Sequence, residues 1–217
     1  IYGYEGIVWA AENGADVINM SWGGSGYSQT SQNTITAIYN QGIVLVAAAG
    51  NDNNSANHYP SSYDHVISVA SVDYNDQKSS FSSYNTTVDV SAPGGSNSPG
   101  PSGLLSTFYA EGSMGYYDAI YGTSMASPVA AGLAALILSV NPDLTPDQVE
   151  EIMEETSVDI DAINPDYAGM LGEGRIDAYE AILNTPFEPT ADFMTPVTTI
   201  KPGHVIDFTS MSTGVPD

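Results

Sequence analysis

The apolar positions Tyr4, Ile7, Val8 and Ala11 follow the i, i+3, i+4, i+7 spacing of one helical face, and Gly14 stands where a left-handed helix stop would sit. This predicts a short amphipathic helix. Residues 16–21 form an apolar-rich run with β-branched Val17 and Ile18, closed by Gly23-Gly24, as expected of a buried strand. Ile35, Ile38 and Tyr39 mark a second helical stripe that stops near Gly42, and residues 43–49 are an unbroken apolar run of strand length. Helix, strand, helix, strand implies crossover connections and a parallel sheet.

Residues 65–72 and 88–91 are two further strand candidates suited to burial beneath helices. Residues 93–103, rich in Gly, Ser and Pro, read as a surface loop. From Gly122 to Val140 the pattern is helical and dense in Ala; Pro128 is expected in the first turn, where no intrahelical bond is lost, which puts the helix start near Ser124. Thr145-Pro146-Asp147-Gln148 is a capping-box pattern with Pro at the first helical position, and Val149, Ile152 and Met153 supply its buried stripe. A last short helix is expected over residues 177–183.

Beyond that point the character changes. Residues 186–189 read as a linker, and Phe193, Val197, Ile200, Val205, Ile206 and Phe208, spaced by turn residues, read as the opening strands of a small β domain. The expected organisation is an α/β domain over 1–185, a linker over 186–189 and the start of a β module over 190–217. The chain starts at Ile1 without an initiator Met and ends in mid-pattern, so it is read as a fragment.

Charge narrows the partners. Only 3 Lys and Arg stand against 26 Asp and Glu, a net charge of −23, and the basic residues Lys78, Arg175 and Lys201 are scattered. A phosphate backbone or an anionic membrane surface is held by clustered cations, so neither is an expected partner. The longest apolar run, residues 129–140, falls short of a membrane span, and a soluble, monomeric globular protein is expected. The absence of Cys excludes a disulfide framework and thiolate chemistry. Asp outnumbers Glu; that excess fits a secreted protein in a saline setting or simply a well-hydrated acidic surface.

Candidate chemistry gathers at three places. Ser124, within Gly122-Thr123-Ser124-Met125-Ala126-Ser127-Pro128, lies between a glycine and a helix whose first turn has small residues. A substrate backbone could approach its hydroxyl, and the free N–H groups of the helix end could stabilise an oxyanion beside it. By itself the motif reads more readily as a serine N-cap; an α/β-hydrolase elbow fits less well, since Ala126 stands where that turn wants glycine. Asn51, ending Ala47-Ala48-Ala49-Gly50-Asn51 at the expected end of a parallel strand, could donate its amide to an oxyanion, or simply occupy a Gly-Asn turn. Ser21-Trp22-Gly23-Gly24, at another strand end, offers backbone to an extended peptide.

Taken together, Gly14-Ala15-Asp16-Val17-Ile18-Asn19-Met20-Ser21-Trp22-Gly23, Val46-Ala47-Ala48-Ala49-Gly50-Asn51 and Gly122-Thr123-Ser124-Met125-Ala126-Ser127-Pro128, in this order, closely resemble the subtilisin-like serine proteases. Further matching stretches, among them Phe81-Ser82-Ser83-Tyr84 and Gly172-Glu173-Gly174-Arg175-Ile176-Asp177-Ala178, extend the resemblance over most of 1–185. It implies a three-layer α/β fold with a mainly parallel sheet flanked by helices, and serine endopeptidase activity on protein or peptide substrates. Ser124 would be the nucleophile and Asn51 the side-chain oxyanion donor. Ser21, Trp22 and Gly23 would form one wall of the peptide cleft, with Thr123 beside it, and Ala48, Ala49 and Gly50 part of the pocket for the residue preceding the cut.

In that family the triad Asp and His precede the region where this sequence begins, so the fragment alone is expected to be inactive. His58 and His65 do not stand in the family's histidine motif and read as a loop residue and a strand lead-in. No cofactor is required by this chemistry; structural calcium is common in the family, although no stretch here has the regular ligand spacing of a calcium loop. Residues 190–217 resemble the first half of a PKD-type β-sandwich module. The alternative reading is a non-catalytic, protease-like scaffold that binds peptide or polymer surfaces.

Overall fold

The computed structural model describes residues 2–96, 103–109 and 116–187, together with the backbone of 193–194 and 209–210. Four strands, β1 (Val17–Met20), β2 (Val44–Ala48), β3 (Ile67–Val72) and β4 (Val90–Pro93), form one sheet in the order β1-β2-β3-β4, every pair parallel. Helices α1 (Tyr2–Glu12) and α2 (Gln29–Tyr39) flank one face; α3 (Thr123–Val140), α4 (Pro146–Glu155) and α5 (Ala178–Asn184) cover the other.

The side chains of β2 show why this layering is stable. Val44 and Val46 point into the core shared with α3, α4 and α5, whereas Leu45 and Ala47 point into the core shared with α1 and α2. Successive strand residues face opposite sides, so a strand buried on both must be apolar throughout, as the 43–49 run is. Ile137 on α3 is fully buried in the larger core. Truncation there to Ala would cost roughly 2–5 kcal/mol through lost burial and an unfilled cavity.

Most elements fall where the sequence places them, within one to three residues at their ends. Thr145 caps α4 by accepting from the Gln148 N–H while the Gln148 side chain accepts from the Thr145 N–H, closing the capping box. Asp177 caps α5 through Tyr179 and Glu180 N–H groups. Strand β4 lies two residues later than expected and takes in Pro93, a residue expected in the loop. His65 does not enter β3; with φ +70 it turns the chain and stacks on Tyr39, ring centroids 3.9 Å apart.

Two features differ from expectation. An antiparallel hairpin, β5 (Leu104–Thr107) with β6 (Tyr117–Ile120), follows the 93–103 segment. It carries no alternating pattern because neither face is buried; Leu105 and Tyr117 are among the exposed large side chains. Helix α3 begins at Thr123, so Pro128 lies in its second turn. Although α3 is long and apolar enough to cross a membrane, it is the central helix of this domain, packed on all four strands β1 to β4. The β module expected over 190–217 lies outside the described residues except for one antiparallel pairing, β7 (Phe193–Met194) with β8 (Thr209–Ser210).

Candidate active site

Ligand sites of parallel α/β sheets form beyond the C-terminal strand ends, where the connecting loops diverge. Here the residues following β1 (Ser21, Trp22, Gly23), those ending and following β2 (Ala48, Ala49, Gly50, Asn51) and the head of α3 (Thr123, Ser124) converge at that edge. Apart from Ser21 and the buried Ala49, these residues line an open cleft of about 260 Å³, joined by Asp52 and His58.

Ser124 is half-buried in the first turn of α3, so its N–H has no intrahelical acceptor and, among the described residues, is open to a ligand. Its carbonyl would ordinarily accept from the N–H four residues on, but that residue is Pro128. Ser21 supplies the missing donor, with Oγ–H bonding the Ser124 carbonyl at 2.9 Å. The Ser124 hydroxyl in turn donates to the Ser21 carbonyl at 3.3 Å. Behind this pair, Asn19 Nδ2 donates to Ser21 Oγ at 2.9 Å and Ser127 Oγ donates to Asn19 Oδ1 at 2.5 Å, locking the end of β1 to the head of α3.

Asn51 is exposed in the same cleft, and its orientation is decided by Thr123. The Thr123 N–H and Oγ–H both donate to Asn51 Oδ1, at 2.9 and 3.0 Å. A backbone N–H can only donate, so the acceptor must be the amide oxygen; Nδ2 is thereby turned toward the loop that carries Ser124. It lies 3.8 Å from where a Cβ on Gly122 would be, and Ser124 N is 3.7 Å from the same point. Two N–H donors, one side-chain and one backbone, therefore lie near one point beside Gly122.

Trp22 is held edge-on by Tyr4 of α1, ring centroids 5.2 Å apart, which fixes one wall. The floor is a residue that sequence reasoning reads only as a loop histidine. His58 is on a loop, but its ring lies between Gly23 and Gly50; a Cβ on Gly23 would collide with it, and one on Gly50, where φ is +107, would come within 3.1 Å. His58 Nδ1 is buried and has no hydrogen-bond partner among the described residues. Burial pulls its pKa below the ordinary value, against the opposing pull of the Asp52 charge and the Ala48 carbonyl. The sequence signal was indirect: two glycines at strand ends that must accommodate something large.

A second polar cluster lies away from the cleft. Asp89, Glu150 and Glu154 bring carboxylate oxygens within 4.8 Å of one another. Burial pushes Asp89 up to about 8, against the opposing Ser68 hydrogen bond and helped by the charges of Glu150 and Glu154. Burial and the charges of Glu154 and Asp147 push Glu150 up to about 7, and burial with the charges of Glu173 and Glu151 raises Glu154. Asp89 Oδ2 accepts from the Ser68 N–H at 2.6 Å, which leaves three carboxylates to supply part of the six to eight oxygens calcium requires.

A parallel sheet between helical layers, with a serine at the head of the central helix beside an aimed amide, defines a subtilisin-like α/β protein. The structure of a protease from Pseudoalteromonas arctica PAMC 21717 superimposes with a TM-score of 0.75 at 39% identity, covering 84% of this chain and 58% of that one. The sequence model of the Subtilase family matches residues 3–183, and the chain belongs to that family. Among curated relatives, a halolysin-like extracellular serine protease, Nep, of Natrialba magadii is 41% identical over 182 residues, 84% of this chain and 31% of the relative. Thermitase of Thermoactinomyces vulgaris is 39% identical over 177 residues, 82% of this chain and 57% of its own length. The chain thus spans between about a third and three-fifths of these relatives.

Proposed function

We propose that the full-length protein is a secreted serine endopeptidase in which Ser124 is the nucleophile and Asn51 the side-chain oxyanion donor. The observation that carries this reading is the pinning of Asn51 Oδ1 by Thr123, which turns Nδ2 toward the Ser124 loop. A histidine from a segment ahead of Ile1, oriented by an aspartate, takes the Ser124 proton as Oγ attacks the peptide carbonyl. The new oxyanion is held by Asn51 Nδ2 and the Ser124 N–H, the amine leaves with the proton, and water releases the acyl group by the same route. Residues 1–217 alone are inactive on this reading.

The backbone of Ser21, Trp22 and Gly23 pairs with the extended substrate, and Ala48, Gly50 and His58 shape the pocket for the residue preceding the cut. The chemistry uses side chains and backbone only and calls for no cofactor; structural calcium is an accessory of the same reading, tested by the effect of Ca²⁺ on the melting temperature. Secretion is supported by the extracellular relative. A separate β module of PKD type over 190–217, after a linker at 186–189, belongs to the same reading.

A serine-directed phosphonate should label Ser124 in the full-length protein, and Ser124→Ala should abolish both labelling and peptide hydrolysis. Normal turnover by that variant would overturn the assignment. Binding to insoluble polymer without any hydrolysis by the unmodified protein would favour a non-catalytic scaffold.

A further inference from the structure

Lys78 is one of only 3 basic residues in a chain of net charge −23, yet among the described residues its ammonium makes no ion pair. It is spent on neutral acceptors instead. Nζ donates to Asn53 Oδ1 at 2.8 Å, to the Ser82 carbonyl at 2.8 Å and to the Ser79 carbonyl at 3.1 Å, which uses all three of its donors. The rings of Tyr84 and Tyr167 close over it with centroids at 5.1 and 4.7 Å, so the cation is held by their faces as well. Its backbone is fixed too, with the Lys78 N–H donating to Asn164 Oδ1 at 2.7 Å.

What this cation grips is the loop that carries Asn51. Residues 50–54 lie along residues 81–84: Ser83 N–H donates to the Gly50 carbonyl at 2.9 Å, Asp52 N–H to Ser83 Oγ at 3.3 Å, Asn53 N–H to the Phe81 carbonyl at 3.0 Å and Tyr84 N–H to the Asn54 carbonyl at 3.0 Å. Asn53 has φ +48, a left-handed turn that a non-glycine residue adopts only at a cost. Its side chain is the point at which Lys78 reaches the loop. Asn51, two residues before this turn, is exposed and otherwise anchored by its side-chain bonds to Thr123.

We infer that Lys78 is a positioning residue for the oxyanion site: by clamping Asn53 in its left-handed turn it holds the 50–54 loop in the register that aims the Asn51 amide at the Ser124 side of the cleft. An oxyanion donor must sit within a few tenths of an ångström of its working position, because a hydrogen bond weakens steeply with distance and angle. A loop freed at Asn53 relaxes toward the right-handed region and carries Asn51 with it. The inference rests on the assignment of Asn51 made above.

The test is a double-mutant cycle in the full-length protease, reading kcat and KM on a chromogenic peptide with the melting temperature measured alongside. Lys78→Met should lower kcat about tenfold with KM held within about twofold, the mark of an interaction made in the transition state. In an Asn51→Ala background the same substitution should change kcat by less than about twofold, since the group it positions is gone. Asn53→Gly tolerates the left-handed turn but offers no acceptor, and it should repeat the pattern with a smaller loss if Lys78→Met does not fold. Equal losses in both backgrounds, or an undiminished kcat in both variants, would overturn the role of Lys78. If Asn51→Ala alone leaves kcat unchanged, the oxyanion assignment itself falls; if Asn51→Ala is slow and the Lys78 effect multiplies it, only the positioning role falls.

Discussion

Ser21 and Ser124 exchange hydrogen bonds, each hydroxyl donating to the other's carbonyl, at 2.9 and 3.3 Å. The first bond exists because Pro128 removes the donor that the Ser124 carbonyl would otherwise have within α3. Ser21→Ala should therefore leave a part-buried carbonyl without its side-chain donor, costing about 1–2 kcal/mol, or a melting-temperature loss of roughly 2–8 °C. Turnover should fall with it as the head of α3 loosens. An unchanged melting temperature would mean that water replaces the Ser21 hydroxyl at no cost.

Thr123→Val removes one of the two donors to Asn51 Oδ1 and keeps the other, the backbone N–H. A partial loss of aim is expected, with kcat down about threefold to tenfold, well short of the Asn51→Ala effect. For Asn51→Ala the expected loss is on the order of a hundredfold or more, a magnitude carried over from subtilisin itself rather than calculated from these distances. Steady-state kinetics of both variants would rank them, and a Thr123→Val loss as large as that of Asn51→Ala would show that the hydroxyl does more than orient.

His58 closes the floor of the cleft, so its removal should deepen the pocket. His58→Ala is expected to raise kcat/KM for a large aromatic residue before the cut, relative to a small one, by about tenfold or more. Profiling a peptide library varied at that one position measures it. An unaltered preference would place the specificity pocket elsewhere.

The carboxylates of Asp89, Glu150 and Glu154 have native pKa values above those of an unfolded chain, Asp89 at about 8 and Glu150 at about 7. The native state then binds more protons than the unfolded state between about pH 4 and pH 8, so stability falls as pH rises through that window. Glu150→Gln should raise the melting temperature at pH 9, by roughly 2–4 °C for about 1 kcal/mol, and change it little at pH 4. Thermal unfolding across that pH range checks the sign; a variant destabilised at pH 9 would contradict it.

The buried strands were legible because burial on both faces demands unbroken apolar runs, as in residues 43–49, and the capped helices because Thr145-Pro146 and Asp177 must satisfy free N–H groups locally. The β5–β6 hairpin was not, since exposed strands place no constraint on which side chains alternate. In the site, Ser124 and Asn51 stood out through their motifs. His58 did not, because its role comes from the space left by Gly23 and Gly50, which are far from each other in sequence.

The family, the layer order and the identity of the candidate nucleophile were all readable along the chain, because each follows from local patterns of burial, capping and motif. The direction in which Asn51 points, the replacement by Ser21 of the donor lost at Pro128, and the grip of Lys78 on the Asn53 turn emerged with the packed fold. Each depends on atoms brought within 3.5 Å of one another from separate stretches of chain, and hydrogen bonds of that kind are set by the packing of the sheet and helices rather than by neighbours in sequence.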